Sequence, residues 1–129
     1  MVTIVGMEPE LANDAQLSLG SGKVVALPIE QTKQTLADGM RATKLGDITF
    51  RYVCEYVDDI ITVSEDEIRT ALRLLIFESR LVSEPSGAVT VAALFNRRHE
   101  LPAAKNIAAV ISGGNVDPQH LVDILERAV

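Results

Sequence analysis

The stretch Val57-Asp58-Asp59-Ile60-Ile61-Thr62-Val63-Ser64-Glu65-Asp66-Glu67-Ile68 changes period halfway through. Its first part carries the β-branched run Ile60-Ile61-Thr62-Val63, as in a short strand. Ser64 and Glu67 then have the spacing of a capping box, in which each side chain accepts from the other residue's backbone N–H and a helix begins. The predicted helix carries Ile68, Ala71, Leu72 and Leu75 on one face and Leu74, Phe77 and Leu81 on another. Only a narrow polar stripe with Asp66, Arg69 and Arg73 remains, so the helix is expected to be largely buried. A strand that passes directly into a buried helix is the repeating unit of an α/β fold.

Working outward, the same alternation recurs. Upstream, residues 2–5 read as a short apolar strand that stops at Glu8-Pro9. Residues 12–19 could form a helix ended by Gly20-Ser21-Gly22. Residues 23–27 are a short strand candidate closed by Pro28, and residues 10–46 as a whole read as the most irregular part. Phe50, Val53, Cys54 and Val57 fit a helical face. Downstream, Glu84-Pro85-Ser86-Gly87 opens another helix, with proline in its first turn. Its small residues Gly87, Ala88, Ala92 and Ala93 permit close packing. Residues 107–111 form a wholly apolar run, as in a strand buried on both faces. Asp117 and Pro118 start a last helix with Leu121, Ile124, Leu125 and Ala128 inward. The expected fold is therefore α/β and three-layered, with a mainly parallel sheet flanked by helices. Its central strands are 2–5, 59–63 and 106–111.

Composition bounds what such a domain does. The chain has 129 residues, 47% of them hydrophobic, which is enough for one domain with a core. Its net charge of −6, with no basic cluster longer than Arg97-Arg98, leaves no electrostatic footprint for nucleic acid. No apolar run reaches the ~20 residues of a membrane helix. The single cysteine, Cys54, precludes an internal disulfide and favours a reducing, cytoplasmic setting. It reads either as a nucleophile or as a small buried hydrophobe, and with no histidine nearby the second is expected. His99 and His120 stand alone, without the spacing of a zinc site.

Three turns and one cluster could carry chemistry. Ser112-Gly113-Gly114-Asn115 lies between an expected strand and a helix, where open α/β sheets bind ligands; its glycines could equally serve the turn alone. Glu84 stands either at a binding edge or simply at the favourable positive end of a helix. Thr35-Leu36-Ala37-Asp38-Gly39 is a binding loop or a surface turn. Glu8, Asn13 and Asp14 are either oxygen ligands for a hard cation or a solvated acidic loop.

Taken in order, Gly-Met-Glu-Pro-Glu (6–10), Thr-Leu-Ala-Asp-Gly (35–39), the stretch 57–68, Glu-Pro-Ser-Gly-Ala (84–88) and Ser-Gly-Gly-Asn-Val-Asp (112–117) resemble the C-terminal portion of the threonine dehydratase and serine racemase family. These are fold type II enzymes dependent on pyridoxal phosphate (PLP). The resemblance implies that residues 1–129 are a single domain, the C-terminal part of the PLP-binding large domain. It implies a hydroxy amino acid substrate, L-threonine or L-serine, deaminated to a 2-oxo acid and ammonia, with serine racemisation as the close alternative. It implies a homo-oligomer. It also assigns roles: Ser112 and Gly113 to the cofactor, with the Ser112 hydroxyl on the pyridine nitrogen; Gly39 near the cofactor ring; Glu84 near its edge. Glu8 and Asp14 by side chain, with Ala12 by carbonyl, match a divalent-cation site for Mg²⁺, Ca²⁺ or Mn²⁺.

The family's Ser-x-Lys-x-Arg-Gly motif, which holds the Schiff-base lysine, and its upstream glycine-rich phosphate loop do not occur in the chain. Lys23, Lys33, Lys44 and Lys105 lie in no such motif. With the abrupt start on a strand, this leads to the expectation of a truncated chain that is inactive alone, or of a non-catalytic module that binds a partner chain.

Overall fold

The computed structural model describes residues 2–126. Its two strands are β1 (Val5–Pro9) and β2 (Asp59–Val63), and they pair in parallel with Val5 opposite Asp59 and Pro9 opposite Val63. Parallel neighbours need a long crossover. Here it is supplied by a 3₁₀ turn at Glu10–Ala12, helix α1 (Asp14–Ser21), the single turn α2 (Ile29–Thr32), a second 3₁₀ turn at Asp38–Met40 and helix α3 (Asp47–Tyr56). After β2 come α4 (Glu65–Phe77), α5 (Pro85–Asn96) and α6 (Pro118–Glu126).

Successive strand residues face opposite sides of a sheet. Ile60 and Ile61 are both buried, so both faces of β2 are covered. On one side Val63, with Met7 beside it, joins the core formed by Ile68, Leu72 and Leu75 of α4, Ala88, Val89 and Ala92 of α5, and Ile124 of α6. On the other, α1 packs along β2, and the Gln16 side-chain amide donates to the Ile60 carbonyl at 2.9 Å. This is the expected three-layer α/β order.

The capping box forms as the spacing predicts. Ser64 Oγ accepts from the Glu67 N–H at 3.3 Å, and the Glu67 carboxylate accepts from the Ser64 N–H at 2.7 Å. Ile68, Ala71, Leu72 and Leu75 are the buried residues of α4. The second apolar face is not buried along its length: Phe77 and Leu81 are about half exposed, at 51% and 50%. Pro85 opens α5, and its small residues Gly87, Ala88, Ala92 and Ala93 are buried, letting α4 and α5 make the most extensive helix–helix contact in the chain. The Asp117 carboxylate caps α6 by accepting from the His120 N–H at 3.0 Å. Ala128, expected on the inner face of that helix, lies outside the described residues.

Four other expectations are corrected. The first strand begins at Val5 and continues to Pro9, so Glu8 lies within it. Residues 23–27 form no strand; Leu27 N–H instead donates to the Thr43 carbonyl at 2.8 Å, joining two loop segments. Residues 106–111 are not a paired strand either, because among the described residues β1 and β2 are each other's only neighbours. Cys54 is exposed, since α3 buries none of its residues fully and turns Phe50 and Val53 only partly inward.

Candidate functional site

Three segments far apart in sequence meet at the N-terminus of α5. The first is the 35–39 loop. Its Thr35 carbonyl accepts two bonds from the Arg41 guanidinium, at 3.1 and 2.8 Å, and its Leu36 N–H donates to the Glu65 carboxylate at 2.6 Å. Thus anchored against the start of α4, the loop presents the Gly39 N–H, which donates to Ser86 Oγ at 3.0 Å. A Cβ on Gly39 would lie 2.9 Å from that oxygen, so glycine is required for this approach.

The second segment is the helix start itself, and the third is residues 112–115. Glu84 N–H donates to the Gly113 carbonyl at 3.3 Å, as does the Ser83 hydroxyl at 3.2 Å, and the Glu84 carboxylate accepts from the Asn115 N–H at 3.1 Å. Gly113 has φ +83°, and a Cβ there would stand 2.6 Å from the Glu84 carboxyl carbon. Gly87 lets the Ser112 carbonyl lie against the helix where any side chain would collide. Ser112 is exposed, and its hydroxyl makes no hydrogen bond among the described residues. A cleft of about 690 Å³ borders the cluster, between Asp38, Arg41 and Glu84 on one side and Asn115, Asp117 and His120 on the other.

The structure thus brings Gly39, Glu84 and Gly113 together and places Ser112 beside them. Of the residues that join these segments, sequence reasoning quoted Ser86 and Asn115 only as members of their motifs, with no role of their own, and did not single out Ser83. The signal for Ser86 was present: a hydroxyl at the second helical position, next to a residue already singled out.

The acidic cluster is separate. Glu8, at the end of β1, has both carboxylate oxygens on the α1 N-terminus, accepting from Ala15 N–H at 3.1 Å and Gln16 N–H at 2.8 Å. Glu8 and Asp14 are 9% and 4% exposed, so a solvated acidic loop is ruled out. Burial pushes the Glu8 carboxyl up to about 7; the two backbone donors oppose this and the Asp14 charge adds to it. Burial also raises Asp14. Neither pairs with a cationic side chain among the described residues, and no third His, Cys, Asp or Glu joins them there.

A parallel α/β layer with binding-type turns gathered at a helix N-terminus defines a class of ligand-binding α/β domain. Residues 1–113 match the family model for pyridoxal-phosphate dependent enzymes, and the chain belongs to that family. It is 37% identical over 124 residues to serine racemase of Schizosaccharomyces pombe, covering 96% of this chain and 37% of that one. It is 38% identical over 128 residues to L-threonine ammonia-lyase of Geobacter sulfurreducens, covering 99% and 31%. Among solved structures, a threonine deaminase from T.th. superposes with a TM-score of 0.82 at 42% identity, covering 89% and 40%. The chain therefore spans between 31% and 40% of the length of these relatives.

Proposed function

We propose that the chain forms one wall of a PLP site in an amino-acid ammonia-lyase acting on a hydroxy amino acid, L-threonine or L-serine. The observation that carries the reading is the convergence of the 35–39 loop, Glu84 and residues 112–115 at one helix N-terminus. The donor set fits the cofactor. Ser112 offers a neutral hydroxyl that the protein itself does not use, suited to the pyridine nitrogen. A neutral partner does not hold that nitrogen protonated as a carboxylate would. Glu84 sets the path of residues 113–115 from below, and Gly39 brings backbone to the edge of the site. When bound, PLP supplies the electron sink that eases loss of the substrate's α-proton. We place the residue that moves this proton, and the phosphate cradle, on polypeptide outside this chain. None of Lys23, Lys33, Lys44 and Lys105 lines the cleft beside Glu84.

Racemisation of serine is the second reading. It begins with the same proton loss, and a racemase and an ammonia-lyase match at 37% and 38% identity. The reading also places the chain in the C-terminal part of a large PLP domain, within a reducing, cytoplasmic compartment, where the exposed thiol of Cys54 would stay free. No helix among the described residues is long and apolar enough to cross a membrane.

The test is retention of PLP through dialysis, read by visible absorbance. The 129-residue chain alone is expected to retain none. Co-expressed with the remainder of a relative, it is expected to retain the cofactor and deaminate threonine, and Ser112→Ala to lower turnover. Unchanged turnover in that variant would remove Ser112 from the site.

We further propose that Glu8, Asp14 and the Ala12 carbonyl hold a divalent cation. Two buried carboxylates that repel each other, with no cationic partner among the described residues, are what such an ion would relieve. Water would complete six-fold coordination, which suits Mg²⁺ and is acceptable to Ca²⁺ or Mn²⁺. Calorimetric titration of Ca²⁺ should give heat with the parent chain and none with Asp14→Ala; equal heats would sink the site.

A further inference from the structure

α4 carries two buried polar atoms, Glu65 Oε1 and Arg69 Nε, that make no hydrogen bond among the described residues. Their residues stand one turn apart on the same side of the helix. Glutamate is N-terminal to arginine, the favourable order for a pair four residues apart. Yet no direct ion pair joins them among the described residues. Each is drawn elsewhere. Glu65 Oε2 accepts from the Leu36 N–H at 2.6 Å. The Arg69 side chain, 11% exposed, meets Asp66 Oδ1 at 3.5 Å, a long contact to a carboxylate that is itself 71% exposed. Arg69 also lines a cavity of about 120 Å³ with Leu36, His120, Asp123 and Ile124. One wall of this cavity is therefore α6, which Arg73 ties to α4 through its Nη2 bond to the Leu125 carbonyl at 2.5 Å. Since α6 follows directly from residues 112–117, Arg69 sits between the 35–39 loop and the continuation of the 112–115 segment.

We propose that Glu65 and Arg69 act as one unit, joined through water in this cavity, that positions Gly39 for the cofactor. The inference rests on the reading of the 35–39 loop as one edge of a PLP site. A water between the two residues accepts from Arg69 Nε and donates to Glu65 Oε1, which removes the cost of burying each atom unpaired. Arg69 then fixes Glu65, and Glu65 fixes Leu36 through a charge-assisted bond. From Leu36 the constraint passes along the backbone. The Leu36 carbonyl accepts from the Asp38 N–H at 2.9 Å and the Ala37 carbonyl from the Met40 N–H at 2.9 Å, so the turn that carries Gly39 is built on this anchor. Tolerance at that turn is small. Gly39 N–H donates to Ser86 Oγ at 3.0 Å, and a displacement of about 0.5 Å away from it would take the pair past ordinary hydrogen-bond length. Neither Glu65 nor Arg69 lines the cleft beside Glu84, so both are positioning residues that act through the loop.

The experiment follows backbone amide exchange by NMR in the 129-residue chain and in Glu65→Ala, Glu65→Gln, Arg69→Met and the double variant of Glu65→Ala with Arg69→Met. Methionine keeps most of the volume of Arg69 without its charge or donors. Exchange at Leu36, Gly39 and Met40 is expected to rise about tenfold in Glu65→Ala and at least about threefold in Arg69→Met, with residues 72–77 of the same helix unchanged. Glu65→Gln retains an acceptor and is expected to restore part of the protection. The double variant is expected to match Glu65→Ala alone, because Arg69 acts through Glu65. Additive effects, a loop that exchanges as in the parent, or exchange that rises equally throughout α4 would each overturn the proposal. The cofactor is read separately, in the complex with the co-expressed remainder of a relative. There Arg69→Met is expected to lose PLP about threefold faster on dialysis than the parent does. A parent complex that retains no PLP would sink the functional reading, and loop exchange would still decide whether Glu65 and Arg69 form a unit. A parent that retains PLP, with equal loss in Arg69→Met, would sink the positioning role alone.

Discussion

At the scale of single residues, the site depends on glycines whose missing Cβ is a geometric requirement. Gly113 combines a left-handed φ of +83° with a carboxylate where its side chain would be. Gly113→Ala should therefore cost about 1–3 kcal/mol, from backbone strain plus displacement of Glu84. Urea unfolding measures it, and Gly20→Ala serves as control because nothing lies within 4 Å of its Cβ position. Equal midpoints for the two variants would show that Glu84 yields freely. The three turns were visible in the sequence by residue type, but only as weak and separate signals. What joins them, such as the 3.0 Å bond from Gly39 to Ser86 across 47 residues, is long-range and has no local signature. Glu8 shows the opposite case. Its residue type suggested a loop, and its burial follows from a strand that ends against α1.

At the scale of elements, α4 was the most legible part of the chain because its signals are local. A cap and a 3.6-residue stripe require no knowledge of what lies across from them. The capping glutamate has a second role that the pattern could not reveal. Glu67 also pairs with Arg97, just past the end of α5, at 2.8 Å, and Arg97 in turn reaches Glu10 at 3.0 Å. Burial alone would raise Glu67, but the Arg97 guanidinium and the Ser64 N–H and hydroxyl together hold it below the usual carboxylate range. A carboxylate lowered in the folded state adds stability above its unfolded pKa, and that stability is lost as pH falls through the folded value. The chain should thus lose stability on acidification below about pH 4.5, and Arg97→Met should make this loss shallower. Thermal melts from about pH 6 down to about pH 3 test this; parallel curves for parent and variant would contradict it.

The other end of α4 breaks a local rule. Arg80 takes φ +58°, a left-handed position usually given to glycine, and Leu81 N–H bonds back to the Leu75 carbonyl at 2.9 Å. Arg80→Gly should therefore raise stability by about 0.5–1 kcal/mol, unlike most helix-to-glycine changes. A lower denaturation midpoint would mean that Arg80 makes contacts worth more than its backbone strain. Residues 106–111 show where element reading stops. An apolar β-branched run states that a segment can pair, while pairing itself needs a neighbour, and composition cannot supply one.

At the scale of the whole molecule, the chain exposes more large apolar side chains than its core needs. One group is ordered along α3: Ile48, Tyr52 and Tyr56 are spaced by four residues, 70%, 58% and 55% exposed, and the two tyrosine rings stack with centroids 6.0 Å apart. Phe77, Leu81 and Val82 form a second exposed group where α4 leads toward α5. Contiguous apolar area beyond a few hundred Å² is uncommon on soluble monomers. The isolated chain is therefore expected to bind a hydrophobic dye and to self-associate as its concentration rises, with the α3 face as the contact. The double substitution Ile48→Ser and Tyr52→Ser removes its apolar content. Both side chains are largely exposed, so folding stability should change by no more than about 0.5 kcal/mol per site. Sedimentation velocity across a wide concentration range should show the parent sedimenting faster as it is concentrated and the double variant remaining monomeric. A parent that stays monomeric and binds no dye would mean that these side chains cover one another well enough to face water. A variant that associates as strongly as the parent would move the contact away from α3, toward the Phe77 and Val82 group.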